Sequence, residues 1–135
     1  ADKMGTERSK YYRLNQDALL FAELRALLIK AKIVEEKELI ATLKDKAGKL
    51  TLFMLTGVFM QEKDASTDIL LVGTVRPQVV AKFIKAYEKE TGEELRYTVM
   101  SDKEFMERRE LGDKFLYGLF EGKHSMVVNS YTSVN

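Results

Sequence analysis

The sequence predicts a mixed α/β (α+β) domain whose sheet has three to four strands, of mixed direction, flanked by helices. Three observations carry that prediction. Two short apolar runs, Leu50 to Thr56 and Asp68 to Val72, are bounded by turn residues in the manner of buried strands. The second is followed by a helical pattern of about 15 residues and then by an alternating run, the order of a right-handed βαβ crossover. Amphipathic helical patterns fill most of the remaining chain.

Length and composition narrow the class further. The 135 residues suit one domain with an ordinary core. Lys+Arg 22 against Asp+Glu 21 leaves a net charge of +1, so nothing global favours nucleic acid, a membrane surface or an acidic partner. With no cysteine and one histidine, disulfides, thiolate chemistry and the usual zinc ligand sets are excluded. No apolar run approaches the roughly 18 residues of a spanning helix, and nothing resembles a signal peptide, so a soluble cytoplasmic protein without membrane partners is expected.

In chain order, residues 1–14 read as a charged arm ending in an extended piece, with Tyr11 and Tyr12 flanked by Lys10 and Arg13. Asn15 or Asp17 can cap a first helix, from about Asp17 to Ala31, with Leu20, Leu24, Leu27, Leu28 and Ala31 as its buried stripe. A second helix is expected from Glu35 to Ala47, burying Leu39, Ile40 and Leu43, with Gly48 as its stop. The two strands come next, joined by a polar loop that opens on Gly57 and carries Gln61, Glu62, Lys63, Asp64, Ser66 and Thr67.

Pro77 suits the first turn of the crossover helix, whose buried face is Val79, Val80, Phe83, Ile84 and Tyr87 and whose end is Thr91-Gly92. The third strand is expected from Glu94 to Met100, with Leu95, Tyr97 and Val99 on one face. Ser101 to Glu104 matches a capping box and starts another helix. Asp113 can cap a further one, ended by Gly122, and Ser125 to Val128 can add a last strand before a loose tail over 130–135.

Four segments carry a resemblance: KYYRLN at Lys10 to Asn15, ILLVG at Ile69 to Gly73, ELRYTVMSDKEF at Glu94 to Phe105, and GDKFLYGLFEG at Gly112 to Gly122. Together they resemble the minimal nucleotidyltransferase-like (polymerase-beta-type) domain at the C-terminus of prokaryotic winged-helix transcriptional regulators. The resemblance implies that residues 15–129 are that domain, and that 1–14 end a missing winged helix through which the parent protein binds DNA. It also implies a possible homodimer, a possible small-molecule or nucleotide ligand, and an arm in which Arg8, Lys10 and Arg13 touch DNA backbone.

An active nucleotidyltransferase needs a Gly-Ser loop for the triphosphate and paired carboxylates for two Mg²⁺. Here Val58 follows Gly57 where the family has serine. Asp68 is a lone survivor of the acid pair, with Ser66 two residues before it and Leu70 two after. Glu94 is the candidate third acid, Arg96 places a cation beside it, and Asp64 can swing in from the loop. The cleft is therefore expected to involve Gly57, Val58, Phe59, Asp64, Ser66, Asp68, Glu94 and Arg96, with no catalytic residue and no cofactor. Asp68 is the weak candidate for a metal. Mg²⁺ and nucleotide enter only if the domain is an active enzyme modifying a partner.

The residues themselves leave Asp68 two readings. It either caps loop amides and pairs with Arg96 or Arg76, or it is kept for a metal. His124 has no triad partners, and the six methionines are scattered as core fillers. A third functional class is an interaction module, with the first helix and Tyr11-Tyr12 as a dimer seam.

Overall fold

A computed structural model of the chain describes residues 2–131, with backbone only for residues 2–14. The elements are α1 (Asp2–Lys46), β1 (Gly48–Leu55), a 3₁₀ turn (Gly57–Met60), β2 (Ile69–Val75), α2 (Pro77–Thr91), β3 (Tyr97–Met100), α3 (Asp102–Glu110), α4 (Lys114–Glu121) and β4 (Ser125–Asn129). Residues divide into two compact units, Ala1–Glu36 and Lys37–Asn135.

In the second unit four strands form one mixed sheet in the order β3-β2-β1-β4. β1 runs antiparallel to both β2 and β4, while β2 and β3 are parallel, as the βαβ reading requires. Strand alternation sends Phe53, Leu55, Ile69 and Leu71 to one face, where they pack with Leu39, Leu43 and Ala47 and with Val80, Ile84 and Tyr87 of α2. Leu52, Met54, Leu70 and Val72 go to the other face, against Phe105 of α3 and Leu116 and Leu119 of α4. Both central strands are thus buried on two sides, which is why they read as continuous apolar runs.

Thr51 interrupts that alternation. Leu50 pairs with Gly73 and Leu52 with Val72, so one extra residue is inserted into β1 as a bulge. Leu50 consequently packs on the first face and Leu52 on the second. Gly73, opposite the bulge at φ +137°, is forced: a Cβ there would lie 2.3 Å from the Lys49 carbonyl oxygen.

Helix ends follow the expected chemistry. Pro77 opens α2 and Gly92, left-handed at φ 73°, closes it. The Ser101 hydroxyl accepts from the Glu104 amide, and the Asp113 carboxylate from the Leu116 amide. Glu104 does not complete a capping box; its carboxylate pairs with Arg108 one turn on, at 3.1 Å.

Four expectations are corrected. The arm and the two first helices are one helix: the backbone of residues 2–14 is already helical, and neither Asn15 nor Asp17 is an N-cap. Nothing between Ala31 and Glu35 can stop a helix, since Lys32-Ile33-Val34 holds neither glycine nor proline. The change that suggested two helices is one of phase in the sequence, because Leu39 and Leu43 fall out of step with the three-and-four spacing of Leu20, Leu24 and Leu27. That stripe, moreover, is not buried: Leu20, Leu24, Leu27 and Leu28 are all more than half exposed.

The third strand starts at Tyr97, leaving Glu94 outside it, and Tyr97 is exposed where Leu95 is buried. Finally, the C-terminal segment is tied down where it is described: the Ser130 amide donates to the Thr51 carbonyl, and the Tyr131 and Thr51 hydroxyls both point at the Asp102 carboxylate. The side chains of Arg8, Lys10, Tyr11, Tyr12 and Arg13 lie outside the described residues, as do residues 132–135. No described helix is long and apolar enough to cross a membrane.

Candidate functional site

Asp68 sits immediately before β2, in the chain between a loop and a strand that is buried on both faces. Its side chain is 1 % exposed. A carboxylate so placed must be paired or fully hydrogen-bonded, and Asp68 is both. One oxygen, Oδ1, accepts from the Val58 amide at 2.9 Å and from the Arg96 guanidinium at 3.1 Å. The other, Oδ2, accepts from the Arg96 amide at 2.8 Å, with Arg96 Nε at 3.4 Å.

Burial pushes the Asp68 carboxyl up, but the Arg96 side chain, the Arg96 and Val58 amides and the guanidinium charge together outweigh it and hold the group below its ordinary value. It is therefore ionised at neutral pH, and its negative charge is matched by the half-exposed Arg96.

The backbone around it forms a closed staple. The Thr56 amide donates to the Asp68 carbonyl at 2.9 Å, and the Asp68 amide donates to the Arg96 carbonyl at 2.9 Å. Thr67, buried beside it, directs its hydroxyl to the carbonyls of Ile69 and Arg96, and Thr98 donates to Thr67 Oγ1 at 3.1 Å. Three strand ends are thereby joined through one aspartate and one threonine.

Gly57 is required by this closure rather than by a ligand. It is left-handed at φ +57°, and a Cβ on it would come within 2.1 Å of Asp68 Oδ1 and 2.8 Å of the Thr67 carbonyl. The Gly57 carbonyl accepts from the Glu62 amide at 2.9 Å, which closes the 3₁₀ turn, and Gln61 caps that turn at a positive φ of 59°. The amide next in the chain, Val58 N–H, is the one that Asp68 Oδ1 accepts from.

The sequence-derived cleft divides accordingly. Gly57, Val58, Asp68 and Arg96 come together as one hydrogen-bonded cluster. Phe59 turns into the first apolar cluster and packs there. Asp64 and Ser66 lie elsewhere: with Thr56, Glu62, Ala65, Gly118, Leu119 and Gly122 they line a groove of about 200 Å³ between the loop and α4. Glu94 is exposed outside β3, and the partners of the Asp68 carboxylate are Val58 and Arg96, so Glu94 is not a third acid of that cluster.

Of the two readings of Asp68, the geometry is that of amide capping with the Arg96 pair. Two-metal chemistry would need both Asp68 oxygens to face cations together with further acids. Instead they face two amides and a guanidinium, so these residues do not fit the Mg²⁺ pair, and no group of three acidic or imidazole side chains stands in ligand positions among the described residues.

Sequence reasoning missed Thr67, Thr98 and the α4 side of the groove. The i, i+4 glycines Gly118 and Gly122 were the available signal, since small residues one turn apart let a loop approach a helix closely. A comparison of the chain with family models, with curated proteins and with solved structures gives no match.

Proposed function

We propose that residues 15–129 are a catalytically inert nucleotidyltransferase-like domain that serves as the regulatory or oligomerising part of a transcriptional regulator. One observation carries the loss of catalysis. The only acid at the paired-carboxylate position has both oxygens engaged by Val58 N–H, Arg96 N–H and the Arg96 guanidinium. A guanidinium at that point supplies fixed positive charge in place of Mg²⁺, and the same contact closes the amide that a triphosphate would otherwise use.

The open groove favours the same conclusion. It carries the carboxylates of Glu62 and Asp64 and no basic side chain, so it repels a triphosphate and suits a small neutral or cationic ligand. The regulatory role itself rests on the resemblance of the four sequence segments to the winged-helix-associated family.

The test is incubation of the full chain with Mg²⁺ and labelled ATP, with and without nucleic acid, alongside calorimetry with Mg-ATP. No label transfer and no metal-dependent micromolar binding are expected. Robust incorporation that disappears in Asp68→Asn would overturn the reading.

A further inference from the structure

In a helix that runs without interruption from Asp2 to Lys46, the stretch from Leu19 to Val34 exposes an unusual load of apolar side chains. Leu20, Leu24, Leu27, Ala31 and Val34 recur at steps of four, three, four and three, the spacing of a coiled-coil seam. Of these the four large residues are 52 % exposed or more. A contiguous apolar stripe of this kind on a soluble chain marks an interaction surface.

Charges flanking the seam identify the occupant and its direction. With Leu24 and Ala31 at the a positions and Leu20, Leu27 and Val34 at d, the g positions are Glu23 and Lys30 and the e positions are Phe21 and Leu28. A partner helix that is a second copy of this chain, laid antiparallel, brings g against g and e against e. In the register that sets Leu24 opposite Leu27 of the copy, Leu20 faces Ala31, a large residue against a small one. Glu23 then meets Lys30 of the copy on one flank, twice by symmetry, and Phe21 meets Leu28 on the other. Sliding by one heptad toward the C-terminus would set Lys30 against Lys30, and a parallel pair would leave Glu23 facing the apolar Leu28.

We propose that this segment of α1 is the seam of a two-fold antiparallel homodimer, closed over Leu20, Leu24, Leu27 and Ala31 and set in register by Glu23 and Lys30. The inference deepens the oligomerising part of the proposed function and is independent of whether the domain transfers nucleotides.

The experiment is sedimentation equilibrium of the full chain at low salt, with the variants Glu23→Lys, Lys30→Glu and the swap Glu23→Lys/Lys30→Glu. The wild type is expected to dimerise. Each single variant should weaken the dimer about tenfold, because it turns both flanking pairs into like charges, and the swap should restore it to within about threefold. Because the chain has no cysteine, mild oxidation of mixed Glu23→Cys and Lys30→Cys chains gives a second readout. A disulfide joining the two different variants is expected in preference to joining like ones.

A wild type that stays monomeric at about 100 μM, a swap that fails to restore association, or disulfides between identical positions would each overturn the proposal. So would a monomer that instead binds vesicles of phosphatidylcholine and phosphatidylserine, since the stripe would then face lipid. None of these outcomes bears on label transfer from ATP, so the two readings fail separately.

Discussion

Asp68 and Arg96 are an unequal pair, and the inequality predicts how substitutions behave. The carboxylate is buried and holds two backbone amides, whereas the guanidinium is about half exposed. Asp68→Ala strands the Val58 and Arg96 amides and leaves an unpaired cation, a loss of about 3 kcal/mol. Arg96→Ala removes a partner that water partly replaces while the Arg96 backbone amide stays in place, so about 1 kcal/mol is expected once solvent screening is allowed for. Urea unfolding of the two variants measures the ratio. Equal losses would mean that the ion pair, rather than the amide capping, holds the loop. The nature of this residue was partly readable in advance: an acid at the mouth of an apolar strand had to have partners. Which partners could not be read, because Val58 is ten residues away and Arg96 twenty-eight, and only sheet pairing brings them together.

At the scale of elements, α1 does two different jobs along its length. From Leu39 onward it contributes Leu39 and Leu43 to the core of the sheet unit, both at most 5 % exposed, with Ala47 just past its end. Between Leu19 and Val34 the same kind of side chain is open to solvent. Leu43→Ala should therefore cost the sheet unit about 2 to 5 kcal/mol in thermal or urea unfolding. Leu24→Ala, compared in dilute monomer, should change it by less than about 0.5 kcal/mol, since nothing is uncovered and alanine favours the helix. A large loss for Leu24→Ala in monomer would show that the stripe packs within the chain. The period of three and four told where this helix has an apolar face, and the buried end was read correctly. It carried no information on whether anything covers that face, so the first stripe was assigned to the core and is in fact exposed. The Thr51 bulge eluded sequence for a related reason: a continuous apolar run, buried on both faces, reads the same with or without one inserted residue.

For the sheet unit as a whole, acid is the informative variable. Asp68 and Asp102 both have carboxyls held below their ordinary value of 3.8. For Asp102 the causes are the Thr51 hydroxyl first and the Tyr131 hydroxyl second, which together exceed the opposing effect of burial. A depressed folded-state value means that the unfolded chain binds these protons first. Their stabilisation is present in full above 3.8 and is lost as the pH falls from there through the lowered folded values. Stability should thus drop with a steep slope below about pH 4, and Asp102→Asn should flatten that slope by up to one proton relative to wild type. An unchanged slope would mean that Asp102 titrates alike in the folded and unfolded chain. Both carboxylates join distant parts of the unit, Asp68 linking the loop to β3 and Asp102 linking α3 to the bulge of β1 and to Tyr131.

By itself the sequence determined the elements from β1 onward and most of their ends: the two doubly buried strands, the crossover helix between Pro77 and Gly92, the caps at Ser101 and Asp113, and the last strand. These are local matters of periodicity, propensity and capping, settled within a few residues of chain. It also shows that Asp68 has no second acid two residues away on either side, because Ser66 and Leu70 stand there. Tertiary structure alone decided that Asp68 is closed off by Val58 and Arg96, that Asp64 and Ser66 line a separate groove with α4, and that the leucine stripe of α1 lies open. Each of these depends on which surfaces meet across long separations in the chain. Such meetings are fixed by strand order, register and packing, none of which a single stretch of sequence encodes.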